Sequence, residues 1–259
     1  MQQAGHRVRI GTHEMFQEFV EQYGFEFFNI GGDPKRLLAF VVKHPNMMTL
    51  NMGEVQEQQD IMEEVIDGTW RACTTPRVGD PETPYRPDVI VANPPTLSHV
   101  HLAEKLCVPL QLWFTMPWSP TKHYQHPFAN MMPEYRSANK ASYGVVDQLT
   151  WVGNQASLRR LRQRLGLPDV EGAGLQHRLA VPHVYCFSEN LVPFPSDWGH
   201  HVDVCGFLNL KQTDETYVPD EDLKAFLDAG DPPVYIGFGS IVVKDKKKLT
   251  EKLLRAVER

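Results

Sequence analysis

The chain lacks most of the signals that take a sequence out of the ordinary globular class. It has four cysteines in 259 residues, Cys73, Cys107, Cys186 and Cys205, far apart and with no C-x-x-C pair. That pattern argues against a disulfide framework or a zinc site and for small buried thiols in a reducing compartment. No segment approaches the ~18 consecutive apolar residues of a membrane span, and no apolar stretch follows the amino terminus. The expectation is a cytoplasmic protein, with any membrane contact peripheral. Basic charge is not in excess: 26 Lys and Arg stand against 32 Asp and Glu, for a formal net charge of −6. The short basic runs at 159–164 and 244–248 read as solvated faces, so no nucleic-acid partner is expected. Internal repeats and low-complexity tracts are absent.

What is there suits an α/β protein. At 42% hydrophobic the chain can bury a real core, as one large domain or two medium ones. The first five residues read as the last turn of a helix closed by Gly5, and Val8 and Ile10 then alternate as a strand. Thr12 is placed to cap a helix with Phe16, Phe19, Val20 and Tyr23 on one face and Gly24 at its end. Residues 25–30 read as the next strand. A long helix covers 54–70, and a Pro-rich loop follows at 77–87. Residues 88–92 are continuously apolar, as a parallel strand buried on both faces should be. Thr96 begins another helix, and 109–114 is another buried strand. Pattern loosens from 115 to about 142, helix period returns at 149–165, and short strands follow at 183–187 and 202–205. Strands alternating with helices predict βαβ units and a parallel sheet. Residues 211–219 read as a linker, and Asp220 caps a helix that Gly230 ends.

The run Pro232-Pro233-Val234-Tyr235-Ile236-Gly237-Phe238-Gly239-Ser240 predicts a strand, a tight turn and a helix N-terminus, the means by which α/β proteins offer backbone N–H groups to phosphate. Val242 takes the place of the third glycine of a dinucleotide fingerprint, so an ordinary βα turn fits equally.

Other candidate chemistry is thin. His99, His101, His123 and His126 match no zinc spacing, and no metal site is expected. Ser98-His99 lacks a G-x-S-x-G elbow. Trp113 to Trp118 joins the carboxyl end of a strand to a long loop, where open α/β sheets bind ligands. Two tryptophans, Phe114 and Met116 there would suit a flat apolar molecule; they would equally serve to cover the end of the sheet.

Four stretches together carry a family resemblance: residues 5–13 (GHRVRIGTH), 26–34 (EFFNIGGDP), 114–121 (FTMPWSPT) and 232–240 (PPVYIGFGS). The chain resembles the fungal sterol 3-beta-glucosyltransferases, inverting enzymes of the GT-B fold that move glucose from UDP-glucose to a sterol 3-hydroxyl. The resemblance implies an N-terminal, Rossmann-like acceptor domain at 1–210, a linker and helix at 211–231, and at 232–259 only the first βα unit of a UDP-sugar-binding domain. It implies sterol and UDP-glucose as substrates, no separate cofactor, and a chain truncated at both ends. The family's Gly-Thr-Arg-Gly-Asp loop, whose aspartate would be the base, is not in the sequence. The catalytic base is therefore unassigned, with His13 at most an assistant by analogy. The implied acceptor contacts are Thr12, His13, Trp113, Phe114, Thr115, Met116, Pro117, Trp118 and His123; the implied donor-phosphate contacts are Gly237, Gly239 and Ser240. If the first strand here is the family's second, the sheet lacks its central strand, and the chain alone is expected to fold poorly and not to turn over. The alternative of a different class is a non-catalytic sterol-binding module or decayed paralogue.

Overall fold

The computed structural model describes residues 1–43, 51–77, 81–129, 135–170, 172–209, 218–238 and 245–257. The chain divides into two compact units, Met1–Leu208 and Asn209–Arg259.

In the first unit, a 3-10 turn (Gln2–Ala4) closes on Gly5, whose φ of 82° is the left-handed conformation that suits glycine. Strands β1 (Arg9–Thr12) and β2 (Glu26–Asn29) follow, joined by a 3-10 turn (Glu14–Phe16) and helix α1 (Gln17–Glu21). After α2 (Pro34–Lys43) comes the 23-residue α3 (Met52–Thr74), whose first turn is capped by Asn51 Oδ1 accepting from Gly53 N at 3.0 Å. Next in order are β3 (Ile90–Ala92), α4 (His99–Leu106), β4 (Leu110–Phe114), α5 (Arg136–Leu165), α6 (Leu175–Arg178), β5 (His183–Tyr185) and β6 (Val202–Val204).

The strands are all parallel, in two separate sheets: β1-β2, and β3-β4-β5-β6. Ile10 lies opposite Phe27 in the first, and Leu112, His183 and Val202 align across the second. Helix α3 packs on the first: Gly68 sits on the backbone of Ile30 just beyond β2, and a Cβ at Gly11 of β1 would meet Ala72 at 3.3 Å. Trp70 and Cys73 of α3 and Ile90 of β3 each border the core formed with α4 and α5. Ile66, Leu102, Leu158, Leu161 and Leu165 form the core between α3, α4 and α5. Because β1 pairs only with β2, and β3 only with β4, each has one unpaired edge.

Several local expectations change in three dimensions. The run at 88–92 is not buried on both faces: Val89 is 47% and Val91 40% exposed, because these two alternate positions share the uncovered face of the strand. Thr12 ends β1 and caps nothing; the helix after it is one and a half turns long, and of its apolar stripe only Val20 is buried, while Phe16, Phe19 and Tyr23 face outward. Thr96 likewise caps no helix. Its hydroxyl donates to Asn93 O at 2.9 Å, and α4 starts only after Leu97 has turned the chain at a φ of 58°. Helix α5 starts thirteen residues ahead of the visible apolar period, at Arg136.

In the second unit, Asp220 Oδ1 accepts from Leu223 N at 3.0 Å and caps α7 (Glu221–Asp228), as expected. The strand expected over 234–238 does not form. Residues 232–238 pair with no other strand, and Val234 and Tyr235 are 85% and 92% exposed. A single β segment with no neighbour has nothing to satisfy its backbone groups except water. Helix α8 (Lys246–Val257) follows. Gly239 and Ser240 lie outside the described residues.

Candidate active site

The carboxyl ends of β3, β4 and β5 carry the features from which a site can be built. Strand alternation sends Phe114 and Trp113 to opposite faces of β4. Phe114 is 7% exposed and meets Trp118 edge to face at 5.1 Å, inside a cluster with Tyr185, Phe187 and Trp198. Trp113 is half-buried, its indole N–H donating to Gln111 Oε1 at 3.1 Å. Most of this cluster covers the end of the sheet, and the loop is tied down beneath it. The Tyr185 hydroxyl oxygen accepts from the backbone N–H groups of Trp118 at 3.0 Å and Ser119 at 2.6 Å, and Trp198 Nε1 donates to Ser119 O at 3.1 Å. Burial pushes the Tyr185 phenol up to about 12.

Trp118 has a second role. With Pro94, Leu97, Val100, Trp151 and Leu158 it lines a cavity of about 70 Å³, whose wall is completed by Gly172–Gln176, by the polar side chains of His99, His101 and Thr150, and by one carboxylate, Asp147. Asp147 is short of partners. Gln176 Nε2 lies 3.5 Å from its Oδ1, at the outer limit of a hydrogen bond, and His177 Nε2 lies 3.6 Å from its Oδ2. Burial raises its carboxyl to about 6, and depresses the His177 imidazole to about 3.

The surrounding histidines are buried and neutral near pH 7. Burial lowers His99 to about 3 and His101, His126 and His183 to about 4. Arg162 sets the tautomer of His101: its Nη1 donates to His101 Nδ1 at 2.9 Å, while its two Nη groups hold Glu104 at 2.6 and 3.1 Å. The hydrogen bonds from Arg162 and its charge hold the Glu104 carboxyl below its ordinary value against the effect of burial. His183 Nδ1 lies 2.7 Å from Val181 O and donates to it, so its Nε2 is a buried acceptor without a partner, stacked 5.6 Å from His177. Among the described residues, no group of three His, Cys, Asp or Glu side chains is arranged to hold a metal ion.

The residues singled out in the sequence do not converge on one spot. Thr12 and His13 lie at the end of β1, in the other sheet, where His13 Nδ1 lies 2.8 Å from the Gly31 carbonyl oxygen and can donate to it. Thr115 is exposed, and Met116 and Pro117 are half-buried in the loop. His123 is largely exposed, with Nε2 3.2 Å from Ser196 Oγ and 3.9 Å from Asp197 Oδ1. Gly237 belongs to the other unit. Only Trp118 of the predicted set lines the cavity. Asp147, Thr150, Trp151 and the 172–176 segment were not singled out in the sequence. One signal for them is present: Asp147, Trp151 and Leu158 fall at i, i+4 and i+11, one helix face.

The first unit is a parallel α/β fold, and residues 1–125 match the glycosyltransferase family 28 N-terminal domain. The chain as a whole is similar to sterol 3-beta-glucosyltransferases. It is 38% identical to one from Arabidopsis thaliana over all of its own length and 40% of that protein, 37% to a second from the same plant over 42%, and 34% to one from Leptosphaeria maculans over 17%. The chain thus spans about two fifths of the plant relatives and about a sixth of the fungal one. Among solved structures, a calicheamicin glycosyltransferase aligns over 79% of the chain and 46% of its own at 17% identity, with a TM-score of 0.41.

Proposed function

We propose that this chain is the acceptor-binding part of an enzyme that transfers glucose from UDP-glucose to the 3-hydroxyl of a sterol with inversion. The observation that carries the reading is similarity to sterol 3-beta-glucosyltransferases along the whole chain. Trp118 serves as acceptor wall, and Gly237 with Gly239 and Ser240 as part of the donor-phosphate turn. The reaction needs a base on the acceptor oxygen and charge stabilisation of the departing UDP. In this reading the chain binds the acceptor and does not turn over alone. Among the described residues no helix is long and apolar enough to cross a membrane.

A second reading, a non-catalytic sterol-binding module, is favoured by one observation: residues 232–238, on which the donor turn depends, are exposed and unpaired. The test is to incubate the purified chain with UDP-[14C]glucose and a sterol, and in parallel to titrate it with the fluorescent sterol dehydroergosterol. Binding without labelled steryl glucoside is the expected result. Labelled product would overturn inactivity of the isolated chain, and absence of both would remove the sterol reading.

A further inference from the structure

Strands β5 and β6 run parallel with Tyr185 opposite Val204, so the next residues along, Cys186 and Cys205, stand side by side beyond the carboxyl ends of the two strands. Both backbones are held there: Cys186 N donates to Phe114 O at 2.8 Å and Cys205 N to Tyr185 O at 2.9 Å. Their sulfurs lie 4.0 Å apart as free thiols. A disulfide spans Cα atoms roughly 4.4–6.8 Å apart, which neighbouring strands at about 4.8 Å supply, so turning the two side chains closes the remaining gap. The thiols are unequal. Cys186 is buried, and burial with the neighbouring Cys205 pushes its thiol up to about 11, whereas Cys205 is exposed. An exposed thiol meets an incoming disulfide first, and a buried one at its side completes the exchange. The segment between them grips the loop that carries Trp118: Asp197 accepts from Thr121 Oγ1 at 2.6 Å and Lys122 N at 2.9 Å, and Trp198 Nε1 donates to Ser119 O at 3.1 Å.

We infer that Cys186 and Cys205 are a reversible redox pair, which a low-molecular-weight disulfide of the glutathione type converts to one intramolecular disulfide, tying off the segment that holds the Trp118 loop. The Cys205 thiol loses its proton and attacks one sulfur of the small disulfide; its S–S bond breaks, a mixed disulfide forms, and one thiolate leaves and takes up the proton. The Cys186 thiol then loses its proton and attacks the Cys205 sulfur, and the second small thiol leaves with that proton. Net, the two cysteines are oxidised by two electrons and the small disulfide is reduced to two thiols. Excess small thiol reverses both steps. The inference is independent of the sterol-transfer reading.

The experiment equilibrates the full reduced chain with oxidised glutathione, blocks remaining thiols with N-ethylmaleimide, and digests with trypsin under non-reducing conditions. Both cysteines fall in one tryptic peptide, 179–211. From the wild type that peptide should appear unblocked and lighter by two hydrogens, and excess reduced glutathione should restore two blockable thiols. Cys186→Ala should leave Cys205 trapped as a lasting mixed disulfide with glutathione, and Cys205→Ala should leave Cys186 a free thiol over the same time. Exchange of the Lys122 amide, which Asp197 holds, should slow in the oxidised wild type. A wild-type peptide that keeps two free thiols, or carries glutathione without closing, in a buffer that modifies the exposed Cys107, overturns the inference. So does a disulfide that joins two chains. An unchanged Lys122 exchange rate overturns the link to the Trp118 loop.

Discussion

Gly68 of α3 rests on the backbone of Ile30 so closely that a Cβ at position 68 would come within 1.9 Å of the Ile30 carbonyl oxygen. The contact seats the long helix against the two-stranded sheet. In an isolated helix Gly→Ala would be stabilising by up to ~1 kcal/mol. Here the added methyl meets backbone, which no rotamer change can relieve, and overpacking costs of about 1–3 kcal/mol or more apply. Gly68→Ala is therefore expected to destabilise the protein by about 2 kcal/mol net of propensity. Urea unfolding checks it; an unchanged or raised midpoint would mean that α3 does not sit on Ile30.

Tyr185 supports the loop that carries Trp118 and Ser119. Tyr185→Phe keeps the ring and its packing but leaves the Trp118 and Ser119 N–H groups without their acceptor. Each buried orphan donor costs about 1–3 kcal/mol. The expected loss is roughly 2–4 kcal/mol from the two donors together, read as a lower denaturant midpoint with little change in slope. A loss below about 0.5 kcal/mol would show that the loop finds other partners.

The buried histidines make stability dependent on pH. His99, His101, His126, His177 and His183 have folded-state values between about 3 and about 4, below their ordinary 6.5. Above about 6.5 both folded and unfolded states hold them neutral. As pH falls through 6.5 the unfolded state takes up protons that the folded state refuses, so stability drops until the folded values are reached. Asp147, raised to about 6, acts in the opposite sense: its contribution is full below 3.8 and lost as pH rises through 6. Five groups oppose one, and the net expectation is a clear fall in the guanidinium midpoint from pH 7.5 to pH 5. An equal midpoint at both would contradict the burial of these imidazoles.

Separate sheets have a signature in hydrogen exchange. Ile90 N donates to Pro109 O at 2.9 Å, so the N–H of Val91 points to the unpaired edge of β3. Thr12 O and Val8 O accept from β2, so the N–H groups of Arg9 and Gly11 face the unpaired edge of β1. These three amides should exchange early, and Leu112 and Cys186, which donate to Pro182 O and Phe114 O at 2.8 Å, should be among the last. Strong protection at Gly11 and Val91 would mean that the two sheets are bridged in solution.

Much of the fold is legible along the chain. All six strands of the first unit coincide with runs visible in sequence, because β-branched and aromatic residues between turn formers report local preference. The glycines at 5, 24 and 166 mark turns that do form, each at positive φ. Legibility stops where partners decide. Val89 and Val91 have the composition of a central strand and the exposure of an edge, and residues 234–238 have the composition of a strand and no neighbour to make them one. The site was less legible than the fold. Trp118 was visible as an aromatic beyond a strand end, but Asp147 is an ordinary acid among Val146, Gln148 and Leu149, and only its surroundings distinguish it.

The sequence by itself determined the α/β class, the parallel strands, the capped helix after Asp220 and the family resemblance, since each depends on residue types at short spacing. Tertiary structure alone decided that the strands form two sheets, that Phe114 goes into the core while Trp118 also lines a cavity, and that Asp147 lies within 3.6 Å of His177 across thirty residues of chain. Those outcomes are set by burial and by which backbone edges find partners, and both are properties of contacts between residues remote in sequence.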